Sequence, residues 1–298
     1  MKVGLVLGGG GALGSYQLGV LKALMEKDVH KEINYVSGTS IGAINALLLM
    51  SDMTFSEMET LWTSIDNKKL YGDGLGRYKH DLKGLFSISE LYDLLLENRS
   101  ITEIQKSHIN GYATLVHVPD DKVLSQINRR KMKLEIVHLN TAEDPYKVAL
   151  ASASIPLLFG PTEIDGEYYV DGGVIDNLPI QALLDQGCDL IITVSLFAFT
   201  KVRKFKGKVS LIDITPKHAL GIPPLSIINF SPRAIVKNIE LGYKNAREVL
   251  NYLDESGYAD FITERQTKKP LYLNLKLVQK KAKRLAKKKA KQARREQS

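Results

Sequence analysis

The sequence predicts an α/β fold, a mainly parallel central sheet flanked by helices, and three stretches carry that prediction. Val3 to Leu7 is a short apolar run that reads as a buried strand and passes straight into Gly8-Gly9-Gly10-Gly11-Ala12-Leu13-Gly14. Ile33 to Ser37 reads as a second strand, and it turns through Gly38-Thr39-Ser40-Ile41-Gly42 into an apolar helix ending near Met50. Leu190 to Leu196 is the most hydrophobic strand of the chain, as expected at the centre of a sheet covered on both faces. Strand, helix and strand in that order form the opening of a parallel sheet.

The remaining elements follow in order. Between the first two strands, Ser15 to Asp28 places Leu18, Leu21 and Met25 on one helical face with Val20 and Leu24 beside them. Phe55 to Ser107 reads as short amphipathic helices around a glycine-rich break, Gly72-Asp73-Gly74-Leu75-Gly76. Within it Ser87-Ile88-Ser89-Glu90 has capping-box spacing ahead of Leu91 to Leu96. A helical layer on the sheet is expected there, with a cap over the site as the alternative. Tyr112 to Val118 and Leu134 to Leu139 read as strands, joined by an exposed loop with Pro119-Asp120-Asp121 and Arg129-Arg130-Lys131. A hairpin around Asp165-Gly166 leads through Tyr168-Tyr169-Val170 to Asp171-Gly172-Gly173. Helix Pro179 to Gln186 is closed by Gly187, and Val209 to Ile214 is a further strand. Pro216, Pro223, Pro224 and Pro232 punctuate the next loop. Ala234 to Leu253 is then a long helix with Ile235, Ile239, Tyr243, Ala246 and Leu250 on one face.

With 298 residues, 44% hydrophobic and 25% charged, the chain can bury the core of one large domain, with or without a small appendage. Its longest nearly apolar run, Leu190 to Phe199, falls well short of the ~18 residues of a membrane span, so none is expected. Glycines follow the first apolar run at once and no A-x-A-like site appears, so no secretory leader is expected. The lone Cys188 cannot form an intramolecular disulfide and reads as a small core residue, which suits a reducing cytoplasm. The net charge of +8 is uneven. Lys276 to Ser298 carries eleven Lys or Arg against one Glu, net +10, and leaves the preceding chain at −2.

Ser40 sits at the apex of a G-x-S-x-G turn. Strand and helix can approach around such a strained serine only if the residues two before and two after it are small, and Gly38 and Gly42 meet that need. Alone the pattern is weak, so its chemistry must be found elsewhere in the chain. A serine nucleophile needs donors for the developing oxyanion and an acceptor for its proton. Consecutive glycines between a strand end and a helix start can turn backbone N–H groups inward, which makes Gly9, Gly10 and Gly11 the candidate oxyanion donors. The same run holds Gly9-x-Gly11-x-x-Gly14, a dinucleotide fingerprint. A nucleotide site would want an Asp or Glu at the end of the second strand, where this chain has Ser37-Gly38-Thr39-Ser40. For the proton acceptor, Ser40, Asp171 and His218 have the chain order of a triad, but only one strand precedes the elbow and His218 lies in a Pro-bounded loop. Asp171 is the stronger candidate, since it ends an extended segment and two glycines let the backbone turn around it. Asp176 is the backup base and is otherwise expected to cap the next helix.

These residues together resemble the patatin-like phospholipase family. The matching motifs are Gly8 to Gly14, Gly38 to Gly42, Ala151-Ser152-Ala153-Ser154-Ile155-Pro156, and Asp171-Gly172-Gly173 followed by Asn177-Leu178-Pro179, in the family's order over about the first two hundred residues. The resemblance implies a three-layer patatin-like fold and a hydrolase of lipid acyl esters. By it Ser40 is the nucleophile and Asp171 the base of a dyad that works through an acyl-enzyme, without a catalytic histidine, metal or cofactor. Leu13 departs from the family, which usually has Arg or Lys there, and this puts head-group contacts in question. The expected organisation is a catalytic domain over 1–215, a helical extension packed on it over 216–270, and a Lys/Arg-rich tail over 271–298. The expected location is the cytoplasm. Lys276 to Arg295 is read as a solvated tail, as an attachment to an anionic inner membrane surface, or, least favoured, as a nucleic-acid contact. Outside the hydrolase class, a catalytically silent lipid-binding or regulatory module and a nucleotide-binding oxidoreductase stay open.

Overall fold

The computed structural model describes residues 1–65, 89–198, 202, 209–256 and 270–284. The break at Gly72 to Gly76 and the first half of the Ser87-Ile88-Ser89-Glu90 box lie outside them. Strand β1 (Val3–Leu7) is buried at every position, because it has a parallel strand on each side and apolar packing on both faces. Beside it lies β2 (Ile33–Thr39), then β3 (Asn110–Val118), again parallel. On its other side β7 (Leu190–Val194), β8 (Ser210–Asp213) and β9 (Tyr272–Asn274) follow in parallel. The far edge turns antiparallel, where β3 pairs with β4 (Lys133–His138) and β6 (Glu167–Asp171), and β6 with β5 (Thr162–Ile164). The sheet is therefore mixed but mostly parallel. Asp165 and Gly166 join β5 to β6 with φ of 51° and 82°, the two positive values a tight hairpin turn requires.

The larger core lies on one face, under α1 (Ser15–Glu26), α2 (Ile41–Met50), α3 (Phe55–Ser64), α6 (Pro145–Ser152) and α8 (Pro232–Glu255). Two further helices, α4 (Ser89–Asn98) and α5 (Ile101–Gln105), lean on α6. Every residue of α2 is buried, which fits a helix apolar on all sides. The smaller core on the opposite face packs Val6, Ile191 and Leu211 against Leu183 of α7 (Ile180–Asp185). Cys188 belongs to it, and burial pushes its thiol up to about 11, so it behaves as a small apolar residue.

The sequence draws boundaries at 215 and 270, and the structure runs one sheet and one core across both. Helix α8 meets α1 at backbone distance: a Cβ on Gly19 would stand 1.9 Å from the Ile239 carbonyl oxygen, and one on Gly242 2.0 Å from that of Tyr16. The expected tail also begins inside the fold. Leu211 pairs with Tyr272 and Ile212 with Leu273, residues 275–284 continue as a helix, and Leu275 and Val278 are buried. Three strand residues among many lysines give too short an alternation to stand out in sequence. Residues 285–298, most of the basic stretch, lie outside the described residues.

The register along β3 decides which strand ends meet. β3 pairs with β4 over Tyr112 to His117, so β2 and β6 must share its other edge. They do so end to end, with Thr39 of β2 opposite Thr114 and Asp171 of β6 opposite Leu115. The parallel half of the sheet hands over to the antiparallel half between those two residues of β3.

Candidate active site

That handover brings the end of β2, where Ser40 stands, against the end of β6, where Asp171 stands. Ser40 has φ 56° and ψ −129°, a conformation costly for any residue with a side chain. Such strain persists only where the surroundings hold it. Its carbonyl takes the Ala43 N–H at 2.8 Å, opening α2, and its own N–H donates to Ser152 Oγ at 2.9 Å. The Ser152 hydroxyl in turn donates to the Thr114 carbonyl at 2.7 Å. Two residues on, the Ser154 carbonyl accepts the Asp171 N–H at 2.9 Å. The stretch Ser152 to Ser154 therefore fixes both ends of the seam, a role that its sequence does not state. Ser152→Ala leaves the buried Ser40 N–H without its acceptor. It is expected to cost ~1–3 kcal/mol in urea unfolding and to slow ester turnover on the order of tenfold or more.

The Asp171 side chain accepts the Gly173 N–H at 2.7 Å and lies within hydrogen-bonding reach of the Ser40 hydroxyl. Both groups are buried, Ser40 at 3% exposure and Asp171 at 6%. Burial raises the Asp171 carboxyl to about 6, against the lowering effect of the Ser40 and Gly173 hydrogen bonds. A carboxylate so placed is a stronger base than an exposed one and sits beside a hydroxyl.

The glycine run folds over this pair. Gly8 N–H donates to Val194 O at 3.0 Å and Gly9 N–H to Asn177 O at 3.2 Å, while Ala12 N–H donates to Ile227 O at 2.8 Å. Among the described residues, the N–H groups of Gly10 and Gly11 have no acceptor, and Gly11 lines the pocket with Ser40. Gly9 thus differs from its two neighbours because its N–H is spent on Asn177. The Asn177 amide also donates to Gly9 O at 3.2 Å, tying the run to the Asp171 loop. From below, Gln17 donates to Gly8 O at 2.7 Å, and Asn45 donates to Gly14 O at 3.2 Å and to Gln17 Oε1 at 2.8 Å. The Trp62 indole completes this buried network by donating to Asn45 Oδ1 at 3.0 Å. A lone Asn inside the otherwise apolar α2 is the sequence signal that points to it.

Trp62 also forms part of a narrow apolar pocket with about 40 Å³ of free space. Ser40 and Gly11 line it. Ile41 and Ile44 of α2, Leu61 and Ile65, Ile155, Leu158 and Phe159, and Ile228 and Phe230 make the rest almost wholly apolar. Trp62 and Phe230 stack with centroids 6.2 Å apart. The arrangement offers a hydroxyl, a buried carboxylate and two N–H donors beside an apolar cavity.

Other expected residues fall elsewhere. His218 is exposed on its loop, outside the Asp171 contacts. Asp176 does not cap α7; its carboxylate takes the Leu178 N–H at 3.2 Å in a local turn, and Pro179 precedes the helix. Leu13 is buried in the larger core, not a wall of the pocket. Ile227 lies against the glycine run: its carbonyl takes the Ala12 N–H and would stand 2.2 Å from a Cβ on Gly11. Among the described residues no helix is long and apolar enough to cross a membrane.

The family profile described as patatin-like phospholipase matches residues 5–184, a stretch holding the glycine run, Ser40 and Asp171. Lysophospholipase NTE1 of Mycosarcoma maydis is 30% identical over 200 residues, 66% of this chain and 10% of that protein. Patatin-like phospholipase domain-containing protein 7 of Rattus norvegicus is 30% identical over 196 residues, 65% of this chain and 13% of that protein. The chain thus spans about a tenth of the length of these curated relatives. Among solved structures, VipD from Legionella pneumophila superposes with a TM-score of 0.52 at 18% identity, over 84% of this chain and 67% of that one, a likeness of fold.

Proposed function

This chain belongs to the patatin-like phospholipase family, and we propose on that premise that it hydrolyses carboxylic esters of lipids through a Ser40–Asp171 dyad and an acyl-enzyme. The observation that carries the reading is a buried carboxylate within reach of a strained serine hydroxyl that lines an apolar cavity. Asp171 takes the proton from Ser40 as the serine oxygen attacks the ester carbonyl carbon. The carbonyl oxygen becomes an oxyanion and accepts N–H groups from Gly10 and Gly11. Collapse of the tetrahedral intermediate breaks the bond to the alcohol or lysolipid, which leaves with the proton from Asp171. Water, deprotonated by Asp171, then attacks the acyl-enzyme, and as the fatty acid leaves, the Ser40 oxygen takes that proton back from Asp171.

Gly9, expected with its neighbours to bind the oxyanion, is assigned instead to positioning, because its N–H holds the Asn177 loop. The apolar pocket takes the acyl chain, because its lining beside Ser40 is almost wholly apolar. A fluorophosphonate probe tests the nucleophile. Wild type and His218→Ala are expected to label at equal rates and Ser40→Ala not at all. A folded wild type that resists the probe sinks the reading in favour of a silent module, and an unlabelled His218→Ala restores the triad.

A further inference from the structure

Beside the pocket stand three loops that each hold at least one large apolar side chain in water. Leu124 is 74% exposed, and Ile127 projects from the same segment, 119–131. Leu157 is exposed on 155–159, while Ile222 at 81% and Leu225 at 71% stand on 219–228. Single exposed leucines are ordinary on a soluble surface, but a cluster on neighbouring loops marks a contact surface.

Hydrogen bonds and the pocket lining bring the three loops to one pocket. Leu157 N–H donates to Gln126 Oε1 at 2.9 Å, joining the first loop to the second, and the neighbouring Leu158 and Phe159 line the pocket. The third loop reaches the pocket through Ile227 and Ile228, and the Ile227 carbonyl holds the glycine run through Ala12. The Arg129 guanidinium donates to Val174 O at 2.8 Å, which sets the first loop beside the Asp171 turn. The first loop also carries exposed Lys122, Arg129, Arg130 and Lys131 against Asp120 and Asp121, and exposed Lys217 lies just before the third.

We propose that segments 119–131, 155–159 and 219–228 form a docking surface for an anionic bilayer, with the pocket opening in its middle. Apolar loop tips enter the boundary between headgroups and acyl chains, and the cations beside them meet anionic headgroups. A bilayer accounts for both features together and for the apolar cavity at their centre. This surface is made of residues other than the basic stretch Lys276 to Arg295. Its purpose rests on the lipid-hydrolase reading, but its geometry does not.

Flotation of the full-length Ser40→Ala protein with phosphatidylcholine vesicles, with and without one third phosphatidylserine, tests it without hydrolysis. Binding is expected on the anionic vesicles. It is expected to weaken at least tenfold when Leu124, Ile222 and Leu225 are all replaced by serine, which leaves the charge unchanged, and to weaken also in Arg130→Gln/Lys131→Gln. Melting curves check that both variants are folded. Equal binding by the serine variant would overturn the proposal, as would no binding to either vesicle. A stable dimer that the serine changes dissociate would assign the surface to a second copy and overturn it as well. Vesicle binding by a protein that resists the fluorophosphonate would sink the hydrolase reading alone.

Discussion

Asp171→Asn is expected to lower ester turnover by ~10³-fold or more while making the folded protein more stable. Asparagine fills the same space and its carbonyl oxygen can still accept the Gly173 N–H, held at 2.7 Å in the native protein, but it takes no proton from Ser40. The gain in stability follows from the carboxyl being raised from 3.8 in the ordinary state to about 6 by burial. Below 3.8 both folded and unfolded chains hold the proton and the group contributes nothing. Between 3.8 and 6 only the folded chain holds it, so stability falls as pH rises through this window. Above 6 both are ionised, and the folded chain bears the full cost of a buried charge, on the order of 2 to 3 kcal/mol. Removing that charge is therefore expected to raise the melting temperature by several degrees at pH 7.5 and by little at pH 4. A melting temperature lowered at pH 7.5 would mean that the carboxylate bears no such cost. The same ionisation governs the wild type: kcat/KM toward a soluble ester is expected to fall tenfold per pH unit below about 6 and to level off above it. Stability and activity therefore pull in opposite directions at this one residue, as expected where a site holds an unfavourable group for its chemistry.

The parts of the site legible in the sequence are those whose physics is local. Gly38 and Gly42 flank Ser40 within five residues, and the steric need they meet is written in those five. Asp171 was accessible because an extended segment, a carboxylate and two glycines stand together. What stayed hidden joins distant stretches. The pairing of Asp171 with Leu115 and of Thr39 with Thr114 brings three strands to one seam, and no spacing in the chain encodes that register. Ser152 and Asn177 are polar residues of kinds common on surfaces, and only their buried partners reveal them as positioning groups. The fate of the Gly9 N–H depends on a carbonyl 168 residues away, the separation that the Asn177 amide also spans in reaching Gly9 O. At the other end of the chain, the lysines masked Leu273, Leu275 and Val278, whose burial extends the fold past the boundary drawn at 270.

Gly42→Ala sets two local effects against each other, and their magnitudes decide the outcome. In the first turn of a helix, alanine favours the helical state over glycine by up to ~1 kcal/mol. Against this, a Cβ on Gly42 would stand 2.1 Å from the Leu7 carbonyl oxygen and 2.8 Å from that of Gly8, both backbone atoms. Leu7 pairs with Gly38 on one side and Val194 on the other, so β1 cannot retreat without opening two ladders at the centre of the sheet. Gly38 closes the remaining route, because a Cβ there would already stand 2.4 Å from Gly42 itself. The clash is therefore expected to cost at least ~3 kcal/mol and to appear as low soluble yield and an early urea midpoint. Gly166→Ala is the contrasting control: nothing lies within 4 Å of its Cβ, only its φ of 82° is strained, and a loss of ~1 kcal/mol is expected. An unchanged midpoint for Gly42→Ala would show that strand and helix do not meet as described. Where some variant folds, the displaced atoms are those leading into the glycine run, so Gly10 and Gly11 move away from Ser40. Fluorophosphonate labelling should then fall further than the folded fraction, which separates damage to the proposed oxyanion donors from simple loss of structure.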